Sequence, residues 1–192
     1  MHLSEQKQIL RQEIQKRIND MTPEARRAEG RTLSRVVLEK IPEGSTICAY
    51  FPLKSEVDIQ LLLQAMLKRG DTVYLPVFAG PDKKMIYRKA QNLTDLPPGE
   101  FTIPEPPKSA AELGDQEVDI VLVPGRAFDR NGNRLGRGSG GYDTWLQWYK
   151  NHHPDTPLWG TCLQCQLMND VPVELHDVPM DVVATAQEWI EK

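Results

Sequence analysis

Five of the thirteen glycines fall within ten residues, in the stretch Arg130-Asn131-Gly132-Asn133-Arg134-Leu135-Gly136-Arg137-Gly138-Ser139-Gly140-Gly141-Tyr142-Asp143. Glycine lets backbone N–H groups come close to an anion, and a helix start that follows adds a favourable dipole. Arg126, Arg130, Arg134 and Arg137 bring four guanidinium groups into the same region of a chain whose formal net charge is -4. In physical terms this is a phosphate cradle, and the plainer alternative is a solvated glycine loop. Two named motifs explain it less well. A P-loop ends in Gly-Lys-Ser or Gly-Lys-Thr, and no lysine stands here; Gly136-x-Gly138-x-x-Gly141 fits a dinucleotide fingerprint only formally, because it follows an irregular loop instead of the first strand of a sheet.

Other residues offer matching chemistry. Lys7 and Arg11, four apart, project from one face of a helix as a cation pair, or else simply line a solvated face. Glu56, in Ser55-Glu56-Val57-Asp58, follows a strand end, where open α/β sheets place their ligands. Helix capping accounts for Asp58 but not for Glu56. Asp143 and Asp177 are hard oxygen donors, and magnesium carried by a phosphate needs only one or two such carboxylates; surface acids are the alternative reading. Cys162-Leu163-Gln164-Cys165 has no second pair, and His152 and His153 lie about ten residues upstream, so metal or redox chemistry is set aside; with Cys48 the cysteine count is odd, against a disulfide framework.

The elements that must position these residues follow from periodicity. Leu10, Ile14 and Ile18 mark a first helix, expected to be capped by Ser4, with Glu5 in its first turn. Thr22-Pro23-Glu24 opens a second helix carrying Leu33, Val36, Val37 and Ile41, stopped by Pro42 and Gly44. Thr46 to Phe51 reads as a strand, Ile59 to Leu67 as a helix closed by Gly70, and Thr72 to Val77 as a strand parallel to the first. Met85 to Arg88 reads as an edge strand. Five prolines between 91 and 108 predict an extended surface loop able to fold over a site. Val118 to Pro124 is apolar enough for the middle of a sheet covered on both faces. A helix from Tyr142 to Lys150 follows the glycine loop and is expected to pack Trp145, Trp148 and Tyr149 onto the sheet. Leu158 to Cys162 is a further strand, and Asp181 to Thr185 is expected to end the sheet, with Trp189 unassigned. The fold class is α/β, a mostly parallel sheet with helices on both faces and an N-terminal helical hairpin.

At 192 residues, 40% hydrophobic and 26% charged, the chain reads as a single domain over 1–192. It holds no run of about 20 apolar residues and starts with a polar segment, so a cytoplasmic protein is expected, without a membrane partner. Its acidic balance argues against a nucleic-acid partner.

Taken in order, Lys7-x3-Arg11, Ser55-Glu56-Val57-Asp58, Val123-Pro124-Gly125-Arg126-Ala127-Phe128-Asp129, Arg134-Leu135-Gly136-Arg137-Gly138, Pro172-Val173-Glu174-x2-Asp177 and Thr185 resemble the 5-formyltetrahydrofolate cyclo-ligases, also called 5,10-methenyltetrahydrofolate synthetases, over most of the chain. The resemblance implies a monomeric enzyme that uses ATP and Mg²⁺ to phosphorylate the formyl oxygen of 5-formyltetrahydrofolate, after which N10 closes the ring. It implies that Lys7, Arg11, Arg134, Leu135, Gly136, Arg137, Gly138, Ser139, Gly140, Gly141 and Tyr142 bind ATP, with Lys7 and Arg137 acting on the transferred phosphoryl group. Phe51, Glu56 and Tyr142 would hold the folate, and Asp143 and Asp177 the magnesium. The chain departs from the family pattern at Gly141, usually aromatic, and at Thr144, usually basic. An impaired folate- or nucleotide-binding homologue, or an ATP-dependent ligase with a non-folate substrate, are the competing readings.

Overall fold

The computed structural model describes residues 2–79, 84–99, 102–138, 140–174 and 177–192. Helices α1 (Leu3–Asp20) and α2 (Pro23–Lys40) form the expected hairpin. Thr22 accepts a hydrogen bond from the Ala25 amide and Pro23 stands in the first turn of α2. The first helix starts earlier than Ser4 predicts: Leu3 is already helical, His2 is the cap residue, and no side chain caps it. Strands β1 (Thr46–Cys48) and β2 (Thr72–Ala79) flank α3 (Gln60–Arg69), which Gly70 ends in a left-handed conformation, φ 95°. The cap residue of α3 is Ile59 and not Asp58, whose carboxylate, one residue earlier, accepts from the Gln60 amide at 3.0 Å.

The remaining elements are β3 (Lys84–Ala90), β4 (Ile120–Val123), β5 (Ala127–Asp129), β6 (Arg134–Leu135), α4 (Gly141–His152), β7 (Leu158–Thr161), β8 (Leu167–Met168), β9 (Val182–Ala184) and β10 (Trp189–Glu191). The main sheet runs β10-β9-β7-β4-β1-β2-β3. Its inner strands pair in parallel, and β3 and β10 pair antiparallel at its edges. The sheet therefore does not end at Thr185: Trp189 lies on the added edge strand, edge-on to Trp159 at 4.9 Å between ring centroids. A second sheet, β6-β5-β8, escapes the sequence reading because strands of two or three residues carry no periodicity.

Strand alternation divides the core. Ile47, Val73, Leu75, Ile120 and Leu122 face the helical hairpin and α3, whereas Cys48, Tyr74, Val121 and Val123 face α4. Trp145 and Tyr149 stack at 4.6 Å within the second layer, as expected, but Trp148 is 38% exposed and meets only the Tyr149 ring of the two, tilted at 6.2 Å. Between 91 and 108 the described backbone has no α-helix or paired strand; Thr102 lies in a 3-10 turn and an isolated bridge joins Pro98 to Pro104.

Candidate active site

The parallel strands end on the side where the second sheet, the start of α4 and the first turns of α1 meet. Lys7 and Arg11 do share a face of α1, and that face is occupied. The Lys7 ammonium contacts Glu174 at 2.8 Å and Asp177 at 2.9 Å, with 12% of its side chain exposed. Burial pulls this ammonium down, but the bonds and charges of Asp177 and Glu174 outweigh it and raise it above the ordinary lysine value. One turn on, Arg11 donates to the Gly136 carbonyl at 2.9 Å. A side chain at Gly138, where φ is 94°, would come against the Arg11 guanidinium at 3.5 Å.

The glycine stretch splits into two parts. Its first part is a turn from β5 into β6, built on the buried Asp129. Its second part, from Gly136 to the start of α4, carries exposed glycines at 138 and 140, the latter the cap residue of α4 with φ 76°. Ser139 lies outside the described residues. Arg134, 4% exposed in its side chain, donates to the Pro124 carbonyl at 3.0 Å, pairs with Asp143, and lies over the Tyr142 ring at 5.8 Å. The Leu135 side chain is in the core, so only its backbone is available to a ligand at this loop.

Four arginines do not make one cradle. Arg130 turns away to an exposed pair with Glu188 at 2.5 Å, because a spacing of four places side chains together on a helix and not in a turn. Arg126 and Arg137 remain. Burial, and then the charge of Arg137, hold the Arg126 guanidinium below its ordinary value. Arg137 reaches Ser55 at 3.3 Å and Glu56 at 3.7 Å with 42% of its side chain exposed.

Glu56 does have a structural partner: its carboxylate accepts from the Leu53 amide at 2.9 Å and closes the turn after β1. It is only 7% exposed. Burial raises its carboxyl above the ordinary range, against the Leu53 amide and the Arg137 and Arg126 charges. Tyr142 is pushed up as well, first by burial and then by the Glu56 charge, which puts phenol and carboxyl in one electrostatic environment. Phe51, half-buried, packs on the core layer under the helical hairpin. Beyond Gly141, a cavity of about 600 Å³ is lined by Gly141, Thr144, Trp145, Trp148, Met85 and Leu113.

Lys7, Arg11, Arg134, Gly136, Asp143 and Asp177 are thus joined by direct contacts from three distant segments, with Arg137, Glu56 and Tyr142 beside them. Glu174 stands in the Pro172–Asp177 motif but was given no role there, because its partner Lys7 lies 167 residues away. Phe78 was missed: a Cβ at Gly141 would stand 3.1 Å from its ring. Among the described residues no three His, Cys, Asp or Glu side chains converge as a metal cage. Asp143 and Asp177 offer hard oxygens, each beside one cation, a donor set that suits a magnesium ion sharing phosphate oxygens. Cys162 and Cys48 are buried free thiols that burial pushes up, and Cys165 lies against the Met21 sulfur at 3.5 Å.

The 5-formyltetrahydrofolate cyclo-ligase family model matches residues 3–186. The chain is 30% identical to the 5-formyltetrahydrofolate cyclo-ligase of Escherichia coli, over 92% of this chain and 100% of that one. It is 31% identical to the enzyme of the same name from Saccharomyces cerevisiae, over 92% and 93%. Among solved structures, the 5,10-methenyltetrahydrofolate synthetase of Aquifex aeolicus superposes with a TM-score of 0.82 at 28% identity, covering 96% of this chain and 92% of that one. Sequence, fold and the order of the site segments point the same way, and the chain is an enzyme of the 5-formyltetrahydrofolate cyclo-ligase family.

Proposed function

We propose that the chain, as a single-domain monomer of the cytoplasm, converts 5-formyltetrahydrofolate to 5,10-methenyltetrahydrofolate with ATP and Mg²⁺. The formyl oxygen forms a bond to the γ-phosphorus as the bond to ADP breaks. N10 then attacks the formyl carbon and loses its proton, and the carbon–oxygen bond breaks to release inorganic phosphate. The observation that carries this reading is the loop in which the Gly136 carbonyl accepts from Arg11 and Arg137 reaches the buried Glu56 carboxyl at 3.7 Å, with Lys7 one turn before Arg11 on α1.

Lys7 and Arg137 neutralise charge on the transferred phosphoryl group, which is where positioned cations act most strongly. Arg11 and the loop from Arg134 to Tyr142, including Leu135, Gly136, Gly138, Ser139, Gly140 and Gly141, hold the nucleotide. Phe51, Glu56 and Tyr142 hold the folate. Asp143 and Asp177 hold the magnesium, which when bound supplies positive charge to the phosphate oxygens. The ion pairs Lys7–Asp177 and Arg134–Asp143 keep these groups in place without ligand, and Lys7 exchanges its carboxylate partners for phosphate oxygen when nucleotide enters.

Gly141 does not argue for an impaired binder, because the Phe78 ring stands 3.1 Å from where a side chain at 141 would begin. An aromatic surface is therefore kept at this point, supplied from β2. The test is the rise in methenyl absorbance when protein meets 5-formyltetrahydrofolate and Mg-ATP, with ADP quantified and an ATP-free control. Product formed one-to-one with ADP is the expected result. ATP binding without product would leave a binding protein; ADP release only with a non-folate acid or amide would leave a different ligase.

A further inference from the structure

Asp129 has no place in the chemistry above, yet it is one of the most enclosed carboxylates in the molecule, 0% exposed at the end of β5. Its partners are amides. One oxygen accepts from the Asn131 amide at 2.9 Å and the Asn133 amide at 3.0 Å, fixing the turn into β6. The other accepts from the Asn133 side chain at 2.9 Å and the Val171 amide at 3.0 Å. The last bond crosses 42 residues and leaves the turn altogether. A buried carboxylate that receives four such bonds is held in one place, and holds its donors there too.

A second tie lies nearby. The Met180 amide donates to the Gly132 carbonyl at 2.8 Å, and Gly132, at φ 80°, approaches so closely that a Cβ would stand 2.3 Å from the Met180 oxygen. The segment from Val171 to Met180 is thus fastened at both ends to the one turn that Asp129 organises. Within that segment stand Glu174 and Asp177, the two partners of Lys7. The same turn leads directly into Arg134, the partner of Asp143.

We propose that Asp129 is a positioning residue for the magnesium-nucleotide end of the site: it fixes the spacing of the Asp177 segment from the Arg134–Asp143 pair. The inference rests on the functional reading above. Groups that orient metal-holding carboxylates without touching the metal commonly matter for affinity by about 10-fold or more. Asp129 acts on Asp177 through Val171 and on Asp143 through Arg134, while Phe51 and Glu56 follow β1, where the Leu53 amide holds the Glu56 carboxylate.

The test compares wild type with Asp129→Asn, in which one oxygen becomes an amino group that cannot accept. ATP binding is measured by calorimetry with and without Mg²⁺, folate binding separately, and amide exchange over the described parts of 171–180 by mass spectrometry. The expected result is a loss of about tenfold in Mg-ATP affinity. Metal-free ATP binding and folate binding should stay within about twofold, with faster exchange in 171–180. If Asp129→Asn does not fold, Asn133→Ala, which removes one of the four bonds, is expected to give a smaller change of the same pattern. Equal loss of nucleotide and folate together with a lowered Tm, or faster exchange with unchanged Mg-ATP affinity, would reduce Asp129 to a structural residue. A wild type that binds no Mg-ATP would overturn the functional reading and this role with it, and the wild-type isotherm alone identifies that case.

Discussion

The turn from Asp129 to Arg134 and the loop from Gly136 to Gly141 are adjacent in sequence and alike in composition, but they are built differently. In the turn, Gly132 is buried and its positive φ serves a close backbone approach to Met180. In the loop, Gly138 and Gly140 reach positive φ at the surface, with the Arg11 guanidinium beside one of them. Arg134, at the end of the turn, is enclosed and paired; Arg137, in the loop, is 42% exposed on its side chain. A glycine–arginine stretch that looks like one device is therefore a rigid foundation followed by an open receiving surface.

Substitutions should separate the two. The largest effect is expected at Lys7, which stands on α1 one turn before Arg11 and pairs with Asp177: Lys7→Ala should lower kcat/KM for ATP by about 10²–10³-fold, as loss of a positioned charge at a reacting group does. Steady-state kinetics at fixed folate would check it, and a loss below tenfold would move the phosphoryl group elsewhere. Next come the two arginines. Arg134→Ala leaves Asp143 without its partner and the Pro124 carbonyl without a donor, and should cost about 3 kcal/mol of stability in a denaturant titration. Arg137→Ala should change stability by less than about 0.5 kcal/mol yet weaken ATP about tenfold. Arg130→Ala, in the turn but facing away to Glu188, should leave ATP affinity unchanged. Similar stability losses at Arg134 and Arg137 would erase the contrast.

Glu56→Gln should weaken folate about tenfold, on the scale of one hydrogen bond to a charged group, with ATP affinity retained. The sign of its pH effect is fixed. Burial raises the folded carboxyl above its unfolded value, so the fold binds the extra proton and loses stability as pH rises from the ordinary carboxylate range through the raised one. Glu56→Gln removes that decline, and parallel melting curves across acidic pH would test it. The smallest effect is expected at Gly141. Gly141→Tyr must displace the Phe78 ring, so by itself it should weaken folate a fewfold, and Phe78→Ala should restore room for it; improved folate binding by the single variant would show that the ring was missing after all.

Much of this was legible in the chain. The helical hairpin and the inner strands follow from apolar spacing, since Ile14, Ile18, Leu33 and Val37 all reach the core that their periods predict. The second sheet was not legible, its strands being too short for any period. Local spacing was enough to put Lys7 and Arg11 on one face of α1. Spacing misled where it was transferred from helix to turn, as with Arg130. Asp129 and Glu174 stand in sequence motifs but carried no assigned role, because their partners lie 42 and 167 residues away.

The central claim is that the open loop and Lys7 deliver a phosphoryl group to the formyl oxygen. It is tested most directly with 5-formyltetrahydrofolate labelled with ¹⁸O in the formyl group, Mg-ATP and a single turnover, followed by mass analysis of the phosphate. The account predicts that the label leaves in inorganic phosphate, one atom for each methenyl product. Methenyl product accompanied by unlabelled phosphate would contradict it.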